Sequence, residues 1–171
     1  MADSVTTTRH GIFSEEMSGE RDQLIEMLRQ AYWMEIETVM SYIANSINPD
    51  GVRAQEIIES LEEDIQEELG HARQFGERIK ELYGVVPGSL DFSAEQSYLQ
   101  PPDEQTDIVH VIKGVIEAET GAIEHYNQIV EFCDDKDLVT QDMVIAILRD
   151  EEGHRRLFEG FLREYKAEGL A

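Results

Sequence analysis

The sequence predicts an all-α protein, an antiparallel four-helix bundle with one long crossover between the second and third helices. Three observations predict it. Apolar residues recur at alternating steps of three and four through four long stretches, and no strand-like alternation competes with them. Pro and Gly cluster between those stretches rather than inside them. Two of the three connections are short, which makes antiparallel neighbours, while the middle one is ~22 residues, enough to run the length of a bundle.

Each element follows in order. Residues 1–17 lack apolar periodicity and read as a flexible arm; residues 18–171 read as one bundle domain. The first helix spans about Gly19 to Ser46, and Asn48-Pro49-Asp50-Gly51 makes a turn. The second runs from about Arg53 to Tyr83, with Gly84 as its C-terminal cap. Val85 to Thr106 contains Pro87, Pro101 and Pro102 and reads as an extended connection. Asp107 N-caps a third helix that reaches Cys133. After a short loop, Thr140 caps a fourth helix that ends near Lys166. Helices of ~25–30 residues are about 40 Å long.

Composition excludes several classes of function. Lys and Arg number 14 against 37 Asp and Glu, for a net charge of −23. Such a surface opposes nucleic acid and anionic membranes alike. No apolar run approaches the ~20 residues of a membrane span. The N-terminus has neither the basic start nor the apolar stretch of a secretory signal. A single cysteine, Cys133, excludes an internal disulfide, a CxxC pair and a thiolate zinc site. These features predict a soluble cytoplasmic protein. The acidity itself fits a solvated helical surface, adaptation to high salt, or carboxylates that collect cations.

The position of the carboxylates bears on the last reading. The inward stripe of the first helix is Leu24, Leu28, Ala31, Glu35, Thr38, Tyr42. In the second it is Leu61, Ile65, Glu68, Ala72, Phe75, Ile79, Leu82. In the third it is Val109, Ile112, Ile116, Glu119, Ile123, Tyr126, Val130, Cys133, and in the fourth Val144, Leu148, Glu151, Arg155, Phe158, Leu162, Tyr165. Each carries one glutamate near its middle. A lone carboxylate in an apolar interior protonates or finds a partner. Four at one depth cannot all ionise without cations between them.

Two of these glutamates have a histidine three residues on, on the same helix face: Glu68 with His71 and Glu151 with His154. The other two have a tyrosine seven residues on: Glu35 with Tyr42 and Glu119 with Tyr126. The order Glu35, Tyr42, Glu68, His71 therefore repeats as Glu119, Tyr126, Glu151, His154, with Glu-to-Glu intervals of 33 and 32 residues. Two helix pairs with matching sets would meet about a pseudo-twofold axis. Four carboxylates and two imidazoles suit two divalent ions of the iron or manganese type, and four negative charges neutralise two such ions. Glu37 and Glu117 are the neighbours that could exchange roles with Glu35 and Glu119. Asp64 and Glu67 flank the set and could pass a cation in. Arg155 belongs at the stripe's edge, paired with Glu152 or Glu159. His10, His110 and His125 read as surface or rim residues, Cys133 as a small buried hydrophobe, and Trp33, Met27, Met34 and Met40 as packing.

These residues resemble the ferritin-like superfamily from about Gly19 to Lys166. Its di-iron bundles take a Glu from each of two helices and Glu-x-x-His from each of the other two. The segment Ile147-Leu148-Arg149-Asp150-Glu151-Glu152-Gly153-His154 resembles bacterioferritins, and the stretch around Glu117-Ala118-Glu119 with the long linker looks like Dps-like ferritins. The resemblance implies that Glu68 and Glu151 bridge two metals, that Glu35 and Glu119 are terminal ligands, and that His71 and His154 complete each site. It implies that Tyr42 and Tyr126 donate to carboxylates across the bundle. It implies two Fe per subunit, with Mn or Zn as substitutes, and oxidation of Fe²⁺ by O₂ or H₂O₂, with storage of the ferric product in a homo-oligomeric shell.

The sequence also departs from its relatives. Leu69 stands where bacterioferritins carry a haem-ligating Met, so haem is not expected. The cysteine pair of the Dps-like ferritins, the first-helix His of the starvation-type Dps proteins and the rubredoxin module of rubrerythrins are all absent. Only 17 residues follow His154, which favours a dodecameric shell or a smaller assembly over one whose subunits carry a fifth helix. The same ligands would also serve a peroxide-consuming di-iron or di-manganese enzyme without mineral storage, and a structural bundle with a relic site is a third reading.

Overall fold

The computed structural model describes residues 11–171. Four long helices make the fold: α1 (Ser18–Ile47), α2 (Gln55–Glu81), α3 (Ile108–Cys133) and α4 (Leu138–Ala167). Among the described residues there is no strand, and no helix is long and apolar enough to cross a membrane. α1 packs chiefly on α2 and α3 on α4.

The connection between α2 and α3 carries only two short 3-10 turns, Ser89–Asp91 and Ser97–Leu99. Its hydrogen bonds trace its path along α1. Arg29 donates to the Val85 carbonyl, Glu37 accepts from the Glu95 and Gln96 amides, and Asn45 donates to the Leu99 carbonyl. The Asp50 amide, just beyond α1, then reaches the Gln105 carbonyl. The chain thus crosses from one end of the bundle to the other. At Gly114 a Cβ would lie 2.7 Å from the Tyr98 carbonyl, so only glycine lets this strap lie flat on α3.

The helix ends refine three expectations. Asp107 caps α3 by accepting the His110 amide. α4, however, begins at Leu138, and its cap is Asp137 rather than Thr140. The Asp137 carboxylate takes both the Thr140 amide and, at 2.5 Å, the Thr140 hydroxyl. Asp137 is further held by two hydrogen bonds from Arg78, which ties α2 to the α3–α4 loop. At the end of α2 the left-handed residue is Tyr83, with φ of 69°, and not Gly84. Gly84 is the next residue, and its amide closes on the Ile79 carbonyl. A Cβ there would lie 2.9–3.0 Å from Ile79 and Ile25, so glycine is needed for space rather than for a positive φ.

Of the expected arm, residues 1–10, His10 among them, lie outside the described residues. Gly11–Phe13 forms a 3-10 turn, Ile12 is buried in the core, and Arg21 donates to the Ile12 carbonyl. This part of the arm packs because one apolar side chain and one guanidinium dock it.

The core is divided. One apolar cluster gathers Leu24, Leu28, Phe75, Ile79, Ile129 and Val144. The other gathers Ile57, Leu61, Ile112, Val115 and Phe158. Two tyrosines, Tyr126 in the first and Tyr42 in the second, turn their hydroxyls to the layer between. Burying an aliphatic side chain is worth about 1.5–3 kcal/mol, so the two clusters carry the fold and enclose the polar layer.

Candidate metal centre

The layer between the clusters holds Glu35 from α1, Glu68 and His71 from α2, Glu119 from α3, and Glu151 and His154 from α4. The four glutamates are at most 2% exposed. They lie there because each occupies a core position of its helix. The three-residue spacing turns each histidine onto the face of its glutamate.

The six residues form two overlapping groups. Glu35, Glu68, His71 and Glu151 offer donor atoms that all lie within 4.8 Å of one another, and so do Glu68, Glu119, Glu151 and His154. Glu68 and Glu151 belong to both. His71 Nδ1 lies 3.1 Å from Glu151 and 3.3 Å from Glu68. His154 Nδ1 lies 3.4 Å from Glu68 and 3.6 Å from Glu151. Yet Glu68 Oε1, Glu151 Oε1 and His154 Nδ1 are buried without a hydrogen-bond partner. Buried polar atoms are normally paired. Converging orphan donors of this kind fit divalent cations, and the O₄N₂ set suits Fe²⁺, Mn²⁺ or Zn²⁺.

Each outer glutamate takes a phenol from the opposite helix pair. Tyr126 donates its hydroxyl to Glu35, and Tyr42 donates to Glu119. The imidazoles face outward through Nε2. His71 Nε2 lies 3.4 Å from Asp150, and His154 Nε2 lies 2.9 Å from Glu67 and 3.6 Å from Asp64. A carboxylate on the outer nitrogen fixes the tautomer and aims Nδ1 inward. Asp150 was missing from the sequence argument. Its signal is the acid that immediately precedes each Glu-x-x-His: Glu67 before Glu68, and Asp150 before Glu151.

The charges are unusually arranged. Burial and then the charges of Glu68 and Glu151 push Glu35 well above the carboxylate range. Burial with the same two charges does the same to Glu119. Burial would raise Glu68 as well, but the imidazoles of His154 and His71 outweigh it and hold it at about 2. Burial opposes charge on His71, yet Glu151 and Glu68 push it up to about 10. Likewise burial opposes charge on His154, but Glu151 and Glu68 raise it to about 12. The shifts favour protons on the imidazoles and on the outer carboxyls, which eases the repulsion among the buried carboxylates.

The remaining candidates separate clearly. Glu37 is buried but binds the crossover, and Glu117 is exposed, so neither joins the set. Arg155 lies at the edge, 3.2 Å from Glu159. His110 is exposed, but His125 is only 7% exposed and donates to the Met27 carbonyl at 2.8 Å, which corrects its reading as a rim residue. Met40 is 54% exposed rather than packed. Trp33 stacks with Tyr32 and Phe92.

Comparison with known proteins places the fold. The Ferritin-like domain family matches residues 25–167. The chain is 32% identical over 146 residues to the DNA protection during starvation protein of Pyrococcus furiosus, covering 82% of this chain and 77% of that one. It is 26% identical to the bacterioferritin of Desulfovibrio desulfuricans over 148 residues, 84% of this chain and 78% of the other. Among solved structures, the dodecameric thioferritin of Bacteroides fragilis, a bacterioferritin-related protein, superposes with a TM-score of 0.76 at 24% identity, covering 89% of this chain and 92% of that one. That last likeness bears on the fold alone. With the family matched over most of its length and a relative at this identity, the chain belongs to the ferritin-like family.

Proposed function

We propose that the chain is a ferroxidase that takes up two Fe²⁺ at this centre, oxidises them with O₂ or H₂O₂, and stores the ferric product within a homo-oligomeric shell in the cytoplasm. One observation carries the reading: two buried donor sets share Glu68 and Glu151. Shared carboxylates bring two ions to one oxidant, and each Fe²⁺ gives one electron to the pair that H₂O₂, or O₂ on its way to H₂O₂, accepts. Glu35 with His71 would hold one ion and Glu119 with His154 the other.

The chain's own groups prepare that chemistry. Loading two ions displaces protons from Glu35, Glu119, His71 and His154, because ligands must be deprotonated. Protons that leave as the ions enter offset the added charge and so limit the desolvation penalty. Tyr42 and Tyr126 keep the outer glutamates oriented, Glu67 and Asp150 orient the imidazoles, and the two apolar clusters keep water from the layer. The −23 charge raises the local Fe²⁺ concentration. The same charge opposes contact with DNA, so protection of the kind named for the Pyrococcus relative would come here from removing Fe²⁺ and oxidant. The shell proposed is a dodecamer, the assembly named for the Bacteroides protein.

Aerobic loading with excess Fe²⁺, followed by gel filtration and iron counting, tests the reading. Tens of iron atoms or more per chain in a large assembly support storage. About two per chain, the capacity of one dinuclear site, would leave a catalyst whose product departs and put the peroxide-consuming reading first. Glu68→Ala and Glu151→Ala should each abolish rapid oxidation; wild-type rates in both would sink the assignment.

A further inference from the structure

α1, the crossover and α3 enclose a cavity of about 1060 Å³, and none of the six residues of the centre lines it. That is the size of a site for a small organic molecule. Each element contributes one ring: Trp33 from α1, Tyr98 from the crossover and His125 from α3. Trp33 lies 5.1 Å, ring centre to ring centre, from both Tyr32 and Phe92, which brace its plane. His125 is only 7% exposed, and its Nε2–H donates to the Met27 carbonyl. That bond fixes the tautomer, and burial pulls the imidazole pKa down and keeps the ring neutral. Nδ1 is then an acceptor. Among the described residues, neither this nitrogen, the Tyr98 hydroxyl nor the Trp33 N–H takes part in a hydrogen bond. At Gly121 a Cβ would meet only the Tyr98 hydroxyl, at 3.8 Å, so the glycine leaves part of the space open.

The charges of the lining select a ligand class. Its one strong cation, Arg29, is spent: Glu26 lies 2.5 Å from the guanidinium, which also donates to the Val85 carbonyl. Glu37 is spent on the Glu95 and Gln96 amides. Asp91, Glu95 and Glu124 are exposed, and among the described residues none of their carboxylates has an ion-pair partner. A phosphate or other anion finds no free positive group here, whereas an ammonium finds three carboxylates. We propose that the cavity binds a small aromatic amine, with its ring against Trp33 and Tyr98, a hydroxyl or N–H donated to His125 Nδ1, and its ammonium among Asp91, Glu95 and Glu124. A ligand ring stacks on braced rings, and an ammonium beside Trp or Tyr gains a cation–π attraction. The site needs no metal, so it stands apart from the dinuclear reading.

Trp33 is the only tryptophan of the chain, so its fluorescence reports on the cavity directly. The EDTA-treated whole protein is titrated with tyramine and, separately, with 4-hydroxyphenylacetate, which pairs the same ring with an anionic arm. Tyramine should change the Trp33 emission with a Kd of about 1 mM or below. The anion should bind at least about tenfold more weakly. Gly121→Leu, which fills the space from α3, should weaken tyramine by about tenfold or more while melting no lower than wild type, so that loss of binding is not loss of fold. A weaker Kd for tyramine, equal binding of the anion, or a folded Gly121→Leu protein that binds tyramine as wild type does would each overturn the proposal. The first two readings need no variant.

Discussion

The α1–α2 half and the α3–α4 half differ in an instructive way. Around the centre they are interchangeable: Glu35 and Glu119, Tyr42 and Tyr126, Glu68 and Glu151, His71 and His154, Glu67 and Asp150. Even the phenols are exchanged, each half donating to the glutamate of the other. Away from the centre the correspondence ends. Glu37 of α1 binds the crossover, while its counterpart on α3 is Gly121, where a Cβ would lie 3.8 Å from the Tyr98 hydroxyl of that crossover. Asp64 is matched by Ile147. What the two overlapping donor sets need from both halves is repeated. What only one half must do, holding the strap, is not.

If the halves are equivalent at the centre, damage to either should be equal and severe. Glu68→Ala and Glu151→Ala should each slow Fe²⁺ oxidation by about a hundredfold or more, since removing even an outer-shell group costs about 10–100-fold. Stopped-flow absorbance would check it, and a large difference between the two would break the symmetry.

The next effect is on pH. His71 and His154 are raised from an ordinary 6.5 to about 10 and about 12. For a raised group, the stability it lends is complete below its unfolded value and lost as pH climbs through the folded one. Glu35 and Glu119 are raised too, so they act in the same sense. EDTA-treated protein should therefore lose thermal stability from about pH 4.5 upward through the two glutamates and further from about pH 6.5 through the two histidines, by about 2–4 °C for each kcal/mol. The gain on adding Mn²⁺ should grow over the same range, because the ions replace those protons. Glu68 works in the opposite sense: held at about 2, its contribution is present above 4.5 and fades as pH falls towards 2. Differential scanning calorimetry with and without Mn²⁺ reads both limbs. A metal-free melting point that rises between pH 7 and pH 9 would contradict the charge arrangement.

Smaller effects separate repeated from unrepeated features. Tyr42→Phe and Tyr126→Phe should cost similar amounts, about 1–3 kcal/mol each, by leaving a buried carboxylate oxygen without its donor. Glu37→Ala should cost about the same by freeing two amides of the strap, whereas Gly121→Ala at the matching place should be neutral or stabilising, since its Cβ would find only the Tyr98 hydroxyl at 3.8 Å. Smallest, Gly70→Ala and Gly153→Ala, inside the two Glu-x-x-His segments, meet nothing within 4 Å and should each stabilise by up to about 1 kcal/mol. Urea titrations measure all six.

The centre was legible in the sequence because its logic is local and repeated. A glutamate on an apolar stripe, with His three residues on or Tyr seven residues on, marks itself without knowledge of any neighbour. The rest depends on distant partners. His125 reads as a rim residue until the Met27 carbonyl, on another helix, accepts its hydrogen bond. Glu37 looks like a rival to Glu35 until the strap, 58 residues on, supplies two amides. Gly84 looks like a left-handed cap, but glycine is required there by the close approach of Ile79 and of Ile25 on α1. Asp137 outcompetes Thr140 as the cap of α4 because a carboxylate that Arg78 holds in place is the stronger acceptor.

The most direct test of the central claim is anomalous diffraction from crystals loaded with Mn²⁺. The account predicts two strong peaks inside each chain, both within bonding distance of Glu68 and Glu151, with His71 Nδ1 on one and His154 Nδ1 on the other. A single peak, or two peaks that share no carboxylate, would contradict it.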